Sequence, residues 1–187
     1  MEKAKESKKE KTVTNLHQNP ILLEFSAGGV VFRRENEISL WLITKSNPSS
    51  LYPEAYWRLP KGWLDDESDG KFPGPLARGD RKASQEEVES AAIREVKEEG
   101  GVNAKIIKRI GTEKRFFLKE GKRVLKFIVY FLMEYVSDEK DGFGLETSEV
   151  GWFPYEEARK KLKYSGEKKV LEKAKQLLDS GIQNSLI

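Results

Sequence analysis

From residue 20 the chain sets short apolar, β-branched runs between polar breaks, a rhythm that predicts strands. Residues 25–34 and 39–45 (SLWLITK) read as two strands joined by a polar turn around residues 35–37. A Ser/Pro/Asn loop follows over residues 46–56, and Trp57-Arg58-Leu59 reads as a short strand entering Pro60-Lys61-Gly62. Residues 63–83 are rich in Asp, Gly and Pro and predict a surface loop, of a length that in a compact domain is functional or disordered. Strand-like runs return at residues 102–110, 113–118 and 123–136, with Glu120-Gly121-Lys122 closing a hairpin between the last two. Residues 155–162 and 167–178 show the apolar spacing of helices. With no internal repeat, the pattern is mixed α/β.

Between these strands Ser84 opens a helix. Ser84 and Glu87 have capping-box spacing, and Gly100-Gly101 ends the helix after about 15 residues. Projected on a helical wheel, Val88, Ala91 and Ala92 form an inward face that Glu95 and Glu99 continue, with Glu98 beside them. Three carboxylates thus gather within roughly a 100° arc. The placement has costs. Acidic groups in the last turn oppose the helix dipole, and Glu95 and Glu99 repel at i,i+4, each effect amounting to about a few tenths of a kcal/mol. A cation bound among them reverses both signs, and Arg94, four residues before Glu98, is placed to neutralise and orient it. Periodicity alone is equally met by an exposed, charged helix end.

Composition narrows what that cation is. Among 187 residues there is no cysteine, which removes disulfides, thiolate metal sites and cysteine nucleophiles. The single histidine, His17, excludes a multi-histidine site, so a metal would be held by oxygen, as Mg²⁺ is. The length suits one domain. The longest uninterrupted apolar run, residues 127–133, is far short of the roughly 20 residues that span a membrane. The opening MEKAKESKKEK has charge with no apolar stretch behind it, unlike a secretory signal, so a soluble, cytoplasmic protein is expected. Of the net charge of +3, residues 1–19 supply five Lys against three Glu, leaving residues 20–187 close to neutral. The expectation is a disordered charged tail on one domain, with neither a membrane nor a nucleic acid as partner.

The order of residues in the helix is specific. Arg94-Glu95-Val96-Lys97-Glu98-Glu99-Gly100-Gly101-Val102 resembles the second half of the Nudix box, which runs Gly, five residues, Glu, seven residues, Arg-Glu, apolar, any, Glu-Glu, any, Gly, apolar. Glu86 matches the first Glu of that box. The Gly matches Gly62 in Leu-Pro-Lys-Gly, although 23 residues separate it from Glu86, and Asp80 stands where five-residue spacing would put it. The departure reads as an insertion at about residues 63–85, which leaves the helix half intact and leaves the loop geometry and the part of Glu86 open. The insertion carries Arg78, Arg81 and Lys82 and reads as a lid, a substrate-selecting loop or a segment without function. The resemblance runs from Ser26-Ala27-Gly28-Gly29-Val30-Val31 to Trp152-Phe153.

The resemblance implies an α/β/α sandwich around a mixed β-sheet, with C-terminal helices. It implies water attack on a phosphoanhydride of a nucleoside diphosphate linked to another group, with Mg²⁺ or Mn²⁺ as cofactor. By motif position Glu95, Glu98 and Glu99 would bind metal, Glu86 would support the site, and Arg94 would fix the helix carboxylates. A carboxylate beyond the helix would accept the proton of the attacking water: Glu146, six residues before the Trp152-Phe153 pair, with Glu149 as its competitor. The segment Trp152-Phe153 to Arg159, with SAGGVVF, WLITK and WRLPKG, resembles diadenosine polyphosphate hydrolases. Such a small-molecule substrate needs cations, for which Lys61, Arg58, Lys45 and Arg115 are candidates, and an aromatic surface, for which Phe116, Phe117 and Tyr130 are candidates. Tyr130 also reads as core. Diphosphoinositol polyphosphates, nucleoside triphosphates, the 5′ end of RNA, and a catalytically silent nucleotide-binding module are the alternatives. The oligomeric state is left open.

Overall fold

The computed structural model describes residues 20–49, 53–64 and 74–184, so the expected charged tail and residues 65–73 of the insertion lie outside the described residues. The strands are β1 (Leu22–Glu35), β2 (Ile38–Ser46), β3 (Trp57–Arg58), β4 (Lys61–Trp63), β5 (Val102–Lys119), β6 (Lys122–Asp138) and β7 (Thr147–Pro154). The helices are α1 (Pro75–Arg78), α2 (Gln85–Gly100), α3 (Tyr155–Lys161) and α4 (Ser165–Asn184). All seven strands join one sheet in the order β3-β2-β1-β6-β5, with β4 also paired to β1 and β7 to β2.

Strand β1 lies in the middle of the sheet and sets its mixed character. It runs antiparallel to β2 and β4 and parallel to β6, in a register that takes Leu22 to Val124 and Phe32 to Glu134. Its alternation feeds two cores. Ala27 and Val31 meet Ala91, Ala92 and Val96 of α2, while Val30 and Phe32 meet Leu162 and the Leu171 and Ala174 face of α4. Helices therefore cover both faces of the sheet, as the sandwich expectation requires.

Several boundaries move. Residues 102–110 and 113–118 are one strand, because register shifts at Asn103/Ala104, Ile106/Lys108 and Arg109/Gly111 absorb the breaks in alternation that suggested two. Lys61–Trp63 is a strand where the sequence suggested the start of a loop, and β7 was not anticipated. Both are short or half-exposed and take their stability from pairing with β1 and β2 rather than from local pattern. The insertion contains the single-turn helix α1. Helix α2 starts as expected: the Ser84 hydroxyl accepts from Glu87 N at 3.1 Å, and the Glu87 carboxylate accepts from Ser84 N at 2.7 Å. It ends at Gly101, whose φ of 63° is the left-handed cap that favours glycine.

Candidate active site

The last two turns of α2 bring the carboxylates to the open side of β4. Glu95 and Glu99 are buried, whereas the Glu98 side chain is 55% exposed. Glycine at 62 is what admits Glu95, since a Cβ there would collide with its carboxylate. Arg94 spans the group: Nη1 lies 2.8 Å from Glu95 Oε1 and 3.0 Å from Glu98 Oε2, and Nη2 donates to the Trp63 carbonyl at 3.0 Å. Glu99 is held from the other side, by Arg58 Nη2 at 2.6 Å and by the Lys61 backbone N–H at 2.9 Å. These carboxylates and bases line a cleft of about 480 Å³.

The lining of that cleft is balanced: Arg58, Lys61, Arg94 and Lys126 face Glu95, Glu98, Glu99 and Glu146. Burial, followed by the charges of Glu99, Glu98 and Glu146, pushes the Glu95 carboxyl up to about 7 despite Arg94. Burial likewise raises Glu99, against Arg58 and Lys61. Hard oxygen donors crowded together, with Glu95 repelled by Glu99, Glu98 and Glu146, suit a divalent cation such as Mg²⁺. Their present partners are guanidinium groups, and among the described residues no three acidic groups stand as a preformed metal cage.

The other residues singled out from the sequence divide. Glu146 reaches the cleft mouth, 84% exposed, with Oε2 4.0 Å from Arg58. Glu149 pairs with Lys45 at 3.3 Å, and neither of the two lines the cleft. Glu86 is exposed in the first turn of α2, about 13 Å along the axis from Glu95, so the structure does not bring it to the cleft. Tyr130 is fully buried among Val30, Ile128 and Leu132 and offers no stacking face. In the insertion, Arg78 pairs with Asp80 and Arg81 with Glu87, outside the cleft lining.

Arg115, Phe116 and Phe117 line a second cleft of about 690 Å³ between β5 and α4, together with Tyr164, Lys169 and Lys173. The Arg115 guanidinium lies over the Tyr164 ring at 4.3 Å. Phe116 is exposed and Phe117 half-buried, as alternation along a strand demands.

Sequence reasoning missed Lys126 and Glu167. Lys126 Nζ lies 4.6 Å from the Trp63 ring centre and 3.7 Å from Glu24, and burial lowers its ammonium to about 8. Its signal was a lysine interrupting the apolar strand Val124-Leu125-Lys126-Phe127-Ile128. Glu167 is fully buried beneath Lys61, and its signal was its place on the same helix face as Val170, Leu171 and Ala174.

With the site in view, the comparisons place the chain. The NUDIX domain family matches residues 23–174. A Mycobacterium tuberculosis protein designated mutator protein MutT4 is 31% identical over 123 residues, which are 66% of this chain and 42% of that relative; the chain thus spans less than half of its length. The structure of a C. elegans Ap4A hydrolase binary complex superposes with a TM-score of 0.56 at 22% identity, over 84% of this chain and 98% of that one. The NUDIX domain of Shewanella oneidensis NrtR, solved with ADP ribose, gives a TM-score of 0.56 at 17% identity, over 85% and 89% of the two chains. Among the described residues no helix is long and apolar enough to cross a membrane. The chain belongs to the NUDIX family, whose motif its α2 sequence resembles.

Proposed function

We propose that the protein is a Mg²⁺-dependent pyrophosphohydrolase acting on dinucleoside polyphosphates such as diadenosine tetra- to hexaphosphate. The observation that carries this reading is the pair of clefts. One holds the carboxylates with Arg58, Lys61 and Lys126; the other offers Phe117, Tyr164 and Arg115; Lys61 and Arg115 are joined through Glu167. A long polyphosphate needs cations along its length, and an adenine needs an aromatic face beside them. The likeness to an Ap4A hydrolase supports the same reading.

Glu95, Glu98 and Glu99 would hold the metal, which when bound supplies charge neutralisation and acidifies water. Glu146, exposed at the mouth of the cleft, takes the proton of the attacking water. The oxygen of that water bonds to one phosphorus as the bond from it to the bridging oxygen breaks, and the departing phosphate carries the electron pair. Arg58, Lys61 and Lys126 hold the polyphosphate in the cleft.

Lys114, Lys169 and Lys173 beside Arg115 favour a second reading, a diphosphoinositol polyphosphate as substrate. A Mg²⁺-dependent hydrolysis panel, resolved by anion exchange, tests both. It compares diadenosine polyphosphates, nucleoside triphosphates, a diphosphoinositol phosphate and triphosphorylated RNA. Fastest turnover of the dinucleotides with release of ATP supports the first reading, and turnover of another member alone removes it. Silence with both Mg²⁺ and Mn²⁺ indicates a binding module.

A further inference from the structure

Glu167 sits in the first turn of α4, but on the side that faces the sheet rather than solvent. Its side chain is wholly buried, and burial raises its carboxyl against the two cations beside it. Those cations are Lys61 Nζ at 3.6 Å and Arg115 Nη2 at 3.4 Å, both on Oε1. Oε2 has no hydrogen-bond partner among the described residues.

The two cations belong to different clefts. Lys61 lines the carboxylate cleft, and Arg115 lines the aromatic one. Arg115 has further holds, on Glu113 Oε1 at 2.9 Å and on the Tyr164 ring. The Lys61 side chain is 8% exposed and pairs with Glu167. Stability does not explain such a network. A buried ion pair is often exchanged for apolar groups of like volume without loss, whereas removing one partner strands the other charge. What the network does supply is a fixed position for two cations on one anchor.

We propose that Glu167 is a positioning residue for the substrate: from beneath both clefts it holds the Lys61 ammonium in one and the Arg115 guanidinium in the other, so that a single polyphosphate spanning them meets two cations at a set separation. The inference rests on the two-cleft reading above. Glu167 touches no substrate and acts through Lys61 and Arg115. Substrate affinity, rather than the chemical step, therefore depends on it.

Glu167→Gln keeps the shape and removes the charge. The expected result is a KM for diadenosine tetraphosphate raised about tenfold or more while kcat holds within about threefold. In the double variant Lys61→Met/Glu167→Gln, KM should exceed that of Lys61→Met by less than Glu167→Gln raises it on its own, because only the hold on Arg115 is left to lose. Its melting temperature should exceed that of Glu167→Gln, since no charge is left stranded. An unchanged KM in Glu167→Gln, a fall in kcat alone, or additive effects in the double variant would overturn the assignment. Should Glu167→Gln fail to fold, the double variant against Lys61→Met carries the comparison. Calorimetric binding of inorganic tripolyphosphate gives the same cycle without turnover. The wild-type panel tests the substrate reading separately, and the variants are then compared on whichever substrate the wild type cleaves.

Discussion

The carboxylate of Glu95 fills the space that a side chain on residue 62 would need. Strand β4 and helix α2 are thus brought together through a missing Cβ, and the position of the carboxylate is set by the backbone of the neighbouring strand. Gly62→Ala should displace Glu95, the mobile partner, rather than the strand. A misplacement of about 1 Å at a catalytic centre costs roughly 100-fold in rate. The expected outcome is a fall of that order in kcat with a modest change in thermal stability, read by activity assay beside calorimetric melting.

Glu98 separates chemistry from folding. Its side chain is more than half exposed and bonded to Arg94 on the helix surface. Glu98→Gln should change stability by no more than about 0.5 kcal/mol. Turnover should fall by about 100-fold or more. Circular dichroism and the hydrolysis assay check the two halves, and near-full activity would remove Glu98 from the metal-binding set.

Metal should stabilise the protein more above pH 7 than below it. Burial holds the Glu95 carboxyl at about 7, above its ordinary value, so the folded protein binds the extra proton between the two. Stability of the metal-free protein falls as pH rises through that window, because Glu95 ionises against neighbouring carboxylates. A cation relieves the repulsion only once the proton has left. Melting curves with Mg²⁺ and with chelator, on both sides of pH 7, should therefore separate more widely on the alkaline side.

Lys126 predicts a weakening of substrate binding at alkaline pH. Burial lowers its ammonium to about 8, so the group is charged below that pH and neutral above it. KM should rise as pH passes through 8, and Lys126→Met should show a higher KM that no longer follows this step. For folding the sign is opposite. The unfolded chain binds the proton more tightly, so the Lys126 contribution to stability improves from pH 8 toward the ordinary lysine value.

Tyr130→Phe should leave KM unchanged. The hydroxyl is buried without a hydrogen-bond partner among the described residues, and its removal should shift stability by about 1 kcal/mol or less. A raised KM would return Tyr130 to the substrate site.

What could be read from the sequence and what could not differ in physical origin. The α2 carboxylates were legible because a helix imposes fixed spacing: once Ser84 caps it and Ala92 and Val96 face the sheet, Glu95 and Glu99 have one place to go. Lys61 and Arg58 were legible through their motif neighbours. The surroundings of Tyr130 and Lys45 were not legible, because residue type states what a side chain can do, while the pairing of β1 with β6 and of β2 with β7 decides which way it faces. Glu167 escaped because its partners, Lys61 and Arg115, come from distant stretches of chain. Nothing local marks a carboxylate whose counterions arrive only with the tertiary fold.

The parallel pairing of β1 with β6 also sets the order in which the molecule can form. The β5–β6 hairpin is local and closes through Glu120 and Gly121, whereas β1 must wait for a partner that begins at residue 122. Such non-local pairing slows folding. During synthesis, β1 and β2 emerge before β6, so the apolar residues of β1, Val30, Val31 and Phe32 among them, must wait for that strand to lie beside them. Strand β4, which carries Lys61 and Gly62, is itself paired to β1. A chain arrested before β6 would hold the carboxylate helix and β4 but lack Lys126 and Glu146, which also line the cleft, so the cleft is complete only once the sheet is.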